Sequence, residues 1–192
     1  MSEIAVILEQ VREHYISAYI EVAEDYKKKF DQSSPEVLLE IGGNENKPYP
    51  YRLYRMDLMS GSVEPPNMTD FNNDSHLVFE PIVFTADGRL KVTLSSFSWN
   101  AVEFEGSCFP PDNEQIITWA LKWLDVEEVK QLDENNFGGY IHSITYPEID
   151  DNKCNFSVDF GTAPIDSFYE LLHILMNLEV KELSIHSNSY HQ

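Results

Sequence analysis

From residue 154 onward the chain alternates apolar and polar positions. Cys154, Phe156, Val158 and Phe160 interleave with Asn155, Ser157 and Asp159, the period-two signature of a half-buried strand. Gly161 ends that run. Thr162 then offers an N-cap hydroxyl for a helix carrying Pro164 in its first turn. Phe168, Leu171, Leu172, Leu175 and Leu178 recur at the spacing that gathers apolar side chains on one helical face. Leu183 and Ile185, set among Glu182, Ser184 and His186, close a second strand.

The same periodicities place the other elements. Ile4, Ile7, Val11, Tyr15, Ala18, Tyr19, Val22, Tyr26 and Phe30 fall three or four apart, predicting a helix over 2–30 of roughly 40 Å. Its acids lie early and Lys27, Lys28 and Lys29 lie last, the sense that the helix dipole favours. Ser33-Ser34-Pro35 is expected to break it. Strands are predicted over 37–41 and 51–58, followed by an aperiodic loop over 60–76. The segments 77–84 and 89–95 predict a hairpin across Ala86-Asp87-Gly88, where Asp-Gly suits a type I′ turn; Pro81 favours an edge position. Apolar positions then change phase, odd at Phe97 and Trp99 and even at Val102 and Phe104, which predicts bulges near Ser95-Ser96 and Asn100-Ala101 and a strongly curved sheet. Asp112 and Gln115 have capping-box spacing ahead of Ile116, Trp119, Ala120, Trp123 and Leu124, with 125–134 as a continuation or second short helix. A strand over 140–146 and an acidic turn through Glu148, Asp150 and Asp151 complete the pattern. The expected fold is one α+β domain spanning 1–192, with a curved, mixed but mostly antiparallel sheet and helices at the N-terminus, in the middle and near the C-terminus.

Composition changes this picture in one respect. Hydrophobic residues at 42% and aromatics at 12% belong to a globular chain, but 13 Lys and Arg against 33 Asp and Glu leave a net charge of −20. Such a field repels nucleic acid and anionic lipid surfaces and draws in a basic protein. Glu3 opens directly into a helical pattern with no secretory signature before it, and no apolar run approaches the ~20 residues that cross a bilayer. The two cysteines, Cys108 and Cys154, form no close pair. A cytoplasmic, reduced protein without membrane attachment is the expectation.

Candidate chemistry is sparse. Asp159-Phe160-Gly161 spells the metal-binding tripeptide of protein kinases, but no glycine-rich loop, strand lysine or catalytic loop accompanies it. Asp159 therefore reads as a solvent-side strand residue and Gly161 as a turn. The six histidines stand singly, and no pair has the spacing that sets two imidazoles on one helical face. His142 and Ser143 are strand neighbours on opposite faces, which disfavours a Ser–His couple. Glu103 and Glu105 share one strand face, and Glu148, Asp150 and Asp151 cluster, in the manner of a solvated acidic surface. No catalytic, cofactor-binding or metal-binding residue is expected, and no cofactor.

The segment from Ser157 to Pro164, the leucine-rich helix after it and the strand from Val180 to Ile185 resemble the immunity proteins of bacterial polymorphic and contact-dependent toxin systems. That resemblance covers about thirty residues and matches no shared functional motif, so no functional residue carries over. It implies a small acidic α+β protein that occludes the active site of one basic cognate toxin, often a nuclease. Charge would set on-rate and selectivity, and aromatic anchors would supply affinity. The candidate contact residues are Trp99, Tyr49, Tyr51 and Tyr54 with the acids Glu148, Asp150 and Asp151. The rival expectation is a small enzyme or ligand-binding domain whose curved sheet encloses a pocket.

Overall fold

The computed structural model describes residues 3–42, 46–61, 65–71, 76–107, 109–150 and 153–187. The first element is the long helix α1 (Glu3–Lys29), which buries Leu8, Val11, Tyr15, Tyr19, Ala23 and Tyr26 at helical spacing. It ends before the predicted breaker: Gln32 takes a left-handed conformation (φ 58°), and Ser33, Ser34 and Pro35 already belong to a strand. That strand, β1 (Ser33–Glu40), pairs antiparallel with β2 (Leu53–Ser60), which pairs with the short β3 (Asn67–Thr69). A single 3-10 turn, Tyr49–Arg52, leads into β2.

The second sheet has seven strands. β4 (Ile82–Ala86) and β5 (Leu90–Leu94) form the expected hairpin, with Asp87 and Gly88 both at positive φ (46° and 67°) and Arg89 N–H donating to Ala86 O at 3.0 Å. Pro81 precedes β4, which is an edge strand, and the ladder takes up only the later part of 77–84. β6 (Val102–Ser107) does not sit beside β5. The strand β10 (Glu182–His186) lies between them, parallel to β5 and antiparallel to β6. The phase change in the sequence therefore marks a crossing and not a pair of bulges. Residues 95–101 leave the ladder and pass over to the next position, burying Phe97 and Trp99 completely on the way. β9 (Lys153–Asp159) follows β6 in the sheet, flanked by β7 (Ser143–Ile144) and β8 (Glu148–Asp150). The chain is thus a single α+β domain with two sheets instead of one, a small antiparallel one and a larger mixed, mostly antiparallel one.

The two remaining helices pack against each other and line the core. In α2 (Glu114–Leu124) the cap is Asn113, whose Oδ1 accepts from Gln115 N at 2.9 Å, so Asp112 is not the capping residue. Asp125 in left-handed conformation (φ 49°) terminates the helix, and the expected continuation over 125–134 is turn and extended chain. α3 (Ile165–Asn177) buries Phe168, Leu171, Leu172 and Leu175 as its periodicity requires, but starts at Pro164 without help from Thr162. Phe168 is the hub of the core, with ring centroids 5.7–6.3 Å from Phe160, Phe104, Trp99 and Phe97. No helix among the described residues is long and apolar enough to cross a membrane.

Candidate functional site

Where the two sheets meet, the structure gathers ionisable side chains that the sequence keeps far apart. His142, from the stretch before β7, is fully buried. Its Nε2 lies 2.9 Å from Glu36 Oε1 of β1, and its Nδ1 lies 2.8 Å from Asp57 Oδ1 of β2. The first contact is a hydrogen bond; the second is an ion pair aligned too poorly to count as one. Asp159 Oδ2, at the end of β9, stands 3.9 Å from the same Nδ1. Two ring nitrogens facing carboxylates on both sides favour an imidazolium with both N–H groups in place. Burial alone would lower the His142 pKa; the charges of Asp159 and Asp57, the close approach of the Asp57 carboxylate and the bond to Glu36 outweigh it and hold it well above its ordinary value. Burial, with a further push from Asp57, raises the Asp159 carboxyl to about 7.

The backbone around the cluster is shaped to reach it. Glu36 takes a left-handed conformation (φ 54°) in the middle of a strand, a costly geometry for a non-glycine residue. The turn points its carboxylate inward, where Oε2 accepts from Gly138 N at 2.8 Å and Oε1 accepts from the Thr162 hydroxyl. Thr162 Oγ1 also accepts from Gly139 N and Tyr140 N at 3.1 and 3.2 Å, so this side chain serves the junction and not the helix cap. Gly161 sits at φ 47°, and a Cβ there would lie 2.2 Å from the His142 ring, so glycine is required on both counts. Asp57 accepts from Phe71 N at 2.7 Å through Oδ2, and its backbone oxygen accepts from Tyr19 of α1 at 2.6 Å. Arg55, also buried, donates to the oxygens of Leu124, Asp125 and Glu36.

In composition this resembles an acid–base site, but its geometry is that of a strut. His142 has no exposed surface, its partners come from β1, β2 and β9, and the main chain repeats the connection: Arg55 N donates to His142 O and His142 N to Asp159 O, both at 2.8 Å. Asp159 is accordingly not the solvent-side residue expected from strand alternation; its side chain is 17% exposed and faces His142. The sequence did hold a signal, namely charges inside otherwise apolar runs at Glu36, Arg55 and Asp57. It could not show that they converge, because Glu36 and His142 are 106 positions apart.

Of the proposed anchors, Trp99 is wholly buried beside Phe160 (4.8 Å between centroids) and Tyr51 is buried against Tyr146, its hydroxyl donating to Pro111 O at 2.8 Å. Neither can meet a partner without opening the core; their large apolar surface is used inside. Tyr54 is half-buried and donates to Asp70. Tyr49 is 41% exposed, with the Arg52 guanidinium over its ring. Glu148 and Asp150 are exposed on β8, which pairs with β9 where a turn was expected. Asp151 and Cys108 lie outside the described residues.

The structure sets those two acids on a larger surface. Val92, Leu183, Phe104 and Phe156 turn one side of the seven-stranded sheet to the core. The opposite side carries a row Val83–Thr93–Ser184–Glu105–Asn155–Glu148, each residue paired with the next across the ladder. Glu103 lies one step along the same face beside His186, and Lys91, Glu182, Lys153 and Asp150 one step the other way. Two ion pairs cross it, Lys91–Glu182 at 3.4 Å and Lys153–Glu105 at 2.5 Å. A groove of about 260 Å³ runs between them over Gly106, and a second, of about 370 Å³, runs beside β1 over Glu36, Arg55 and Tyr140. Both are open and mix polar with apolar lining surface, at or below the low end of the ~300–1,000 Å³ typical of small-molecule sites. Comparison with models of protein families, with characterised proteins and with solved structures gave no match.

Proposed function

We propose that this chain is a protein-binding inhibitor of the immunity type, occluding the active site of a basic cognate toxin, with nucleases the class whose cationic sites suit it best. The observation that carries the reading is the charge: −20 on a chain of 192 residues, far beyond what folding needs. The buried carboxylates Glu36, Asp57 and Asp125 are few and already engaged inside the fold, so the surplus belongs to the surface, where it acts on partners. The small size and openness of the grooves support a macromolecular partner over the rival reading of an enzyme or ligand-binding domain.

The test is to express the product of the adjacent gene in cells with and without this chain, and to measure association of the two purified proteins across a salt series. Protection from toxicity is expected, with an association rate that falls severalfold as salt rises and a dissociation rate that changes much less. A harmless neighbour, or toxicity unrelieved and no complex at low salt, removes the reading.

A further inference from the structure

Resting on the protein-binding reading above, we infer that the docking surface is the open face of the seven-stranded sheet, across β10, β6, β9 and β8, and that it receives a lysine- or arginine-bearing surface of the partner. An antiparallel sheet commonly leaves one face to water, so exposure alone says nothing. The charge on this face is what selects an occupant. Four carboxylates (Glu105, Glu148, Asp150 and Glu182) stand against two ammonium groups (Lys91 and Lys153), so a net negative charge survives every pairing among them.

The form of the face suits the same partner. The groove over Gly106 is bounded by the two ion pairs, which places the carboxylates of Glu105 and Glu182 on opposite sides of a slot. At about 260 Å³ its size matches one extended cationic side chain. An incoming guanidinium can exchange with Lys91 or Lys153 for a carboxylate and gain two-pronged hydrogen bonds that an ammonium does not make. The support is stiff, because β10, β6 and β9 are each hydrogen-bonded on both sides and little order need be gained on binding. Val83, 61% exposed at the β4 end of the row, adds an apolar contact at the rim.

Two double variants separate this surface from diffuse attraction. Glu105→Lys with Glu148→Lys alters the sheet face; Glu13→Lys with Glu21→Lys alters exposed positions on α1. Each pair shifts the net charge by four, from −20 to −16, so general electrostatic attraction weakens equally in both. With the adjacent-gene product as probe and thermal midpoints recorded as a check on folding, the sheet pair is expected to weaken binding at least about 100-fold and the helix pair no more than severalfold. Amide signals of the wild-type protein at 103–107, 153–157 and 182–186 should shift in the complex, a readout that does not depend on the variants folding. Equal weakening by the two pairs, shifts confined to α1, or self-association of the isolated chain through β10, β6 and β9 would each overturn the surface while leaving the protein-binding reading intact. Failure of the wild type to bind the probe removes that reading itself, and the surface with it.

Discussion

Two junctions tie the layers of this protein together, and they are built from opposite materials. Between α3 and the large sheet, Phe168 sits among Phe97, Trp99, Phe104 and Phe160, all without exposed surface. Between the two sheets, His142 sits among Glu36, Asp57 and Asp159. The first contact is short-range and non-directional, so it scales with area and adapts to small changes of shape. The second depends on charge, alignment and a proton. It fixes one relation between the sheets, because Glu36 reaches His142 only through a strained strand residue and Gly161 leaves room for the ring only by lacking a side chain. Apolar packing supplies most of the stability here, while the polar junction adds contacts that tolerate little displacement.

Breaking the polar junction should produce the largest effect. His142→Ala removes the cation and leaves Glu36 and Asp57 as buried carboxylates without it, a loss expected to cost about 3–5 kcal/mol. Urea denaturation read by far-ultraviolet circular dichroism measures this. A cost below about 1 kcal/mol would mean that the junction is dispensable. The apolar counterpart is Leu172→Ala in α3, where the side chain is buried and truncation should cost about 3 kcal/mol. The two variants should differ in kind as well: the Leu172 loss is insensitive to pH, whereas the His142 loss is not.

The pH dependence sharpens that contrast. Asp159 rises from an ordinary 3.8 to about 7 in the fold, so between those values the folded chain holds a proton that the unfolded chain has released. Its stabilising contribution is complete below about pH 4 and is lost as pH climbs to 7. His142, also raised, contributes fully below its unfolded value near 6.5 and loses that contribution progressively as pH climbs from there to its higher folded value. Both groups therefore make the protein less stable as the solution becomes more alkaline. Asp159→Asn keeps a side-chain oxygen for Gly161 N and cannot ionise. Compared with the wild type it should lack about 3 kcal/mol of decline between pH 4 and 7. Its remaining alkaline decline should move to lower pH, because one of the charges holding the imidazolium is gone. Parallel stability curves for the two proteins from pH 4 to 9 would contradict the proton assignment.

The legibility of the two junctions in the sequence follows from the same physics. Packing is periodic within an element, so Phe168, Leu171, Leu172 and Leu175 announce their common face, and Asp87-Gly88 announces its turn. The polar junction takes one residue from each of several elements, and no spacing connects Glu36 to His142 or Thr162. Alternation misled at Asp159 because the strand's other face, open to solvent along most of β9, is covered at that end by the small sheet. The sheet order was out of reach for a similar reason. Nothing in residues 90–107 shows that the last strand in the chain will insert between β5 and β6, and a crossing leaves the same phase change as a bulge.

The smallest predicted effect sits where sequence and structure differ over a single surface residue. By helical position Glu170 faces away from the apolar stripe of α3, which alone would make Glu170→Ala neutral within roughly half a kcal/mol. In the fold its carboxylate joins two helices: it accepts from Lys122 Nζ at 2.7 and 2.9 Å and from the Trp123 indole N–H at 2.9 Å. Burial acts to raise its pKa, but the bonds from Lys122 and Trp123 prevail and lower it. The ion pair is half in water and worth little by itself, but the indole bond has a largely buried donor that truncation leaves without its acceptor. We therefore expect Glu170→Ala to cost about 1 kcal/mol, with Glu170→Gln recovering part of it through the indole bond. High salt should remove little of the difference between wild type and alanine variant, since screening reaches the ion pair and not the hydrogen bond. A neutral alanine variant would place α2 and α3 in contact through apolar side chains alone.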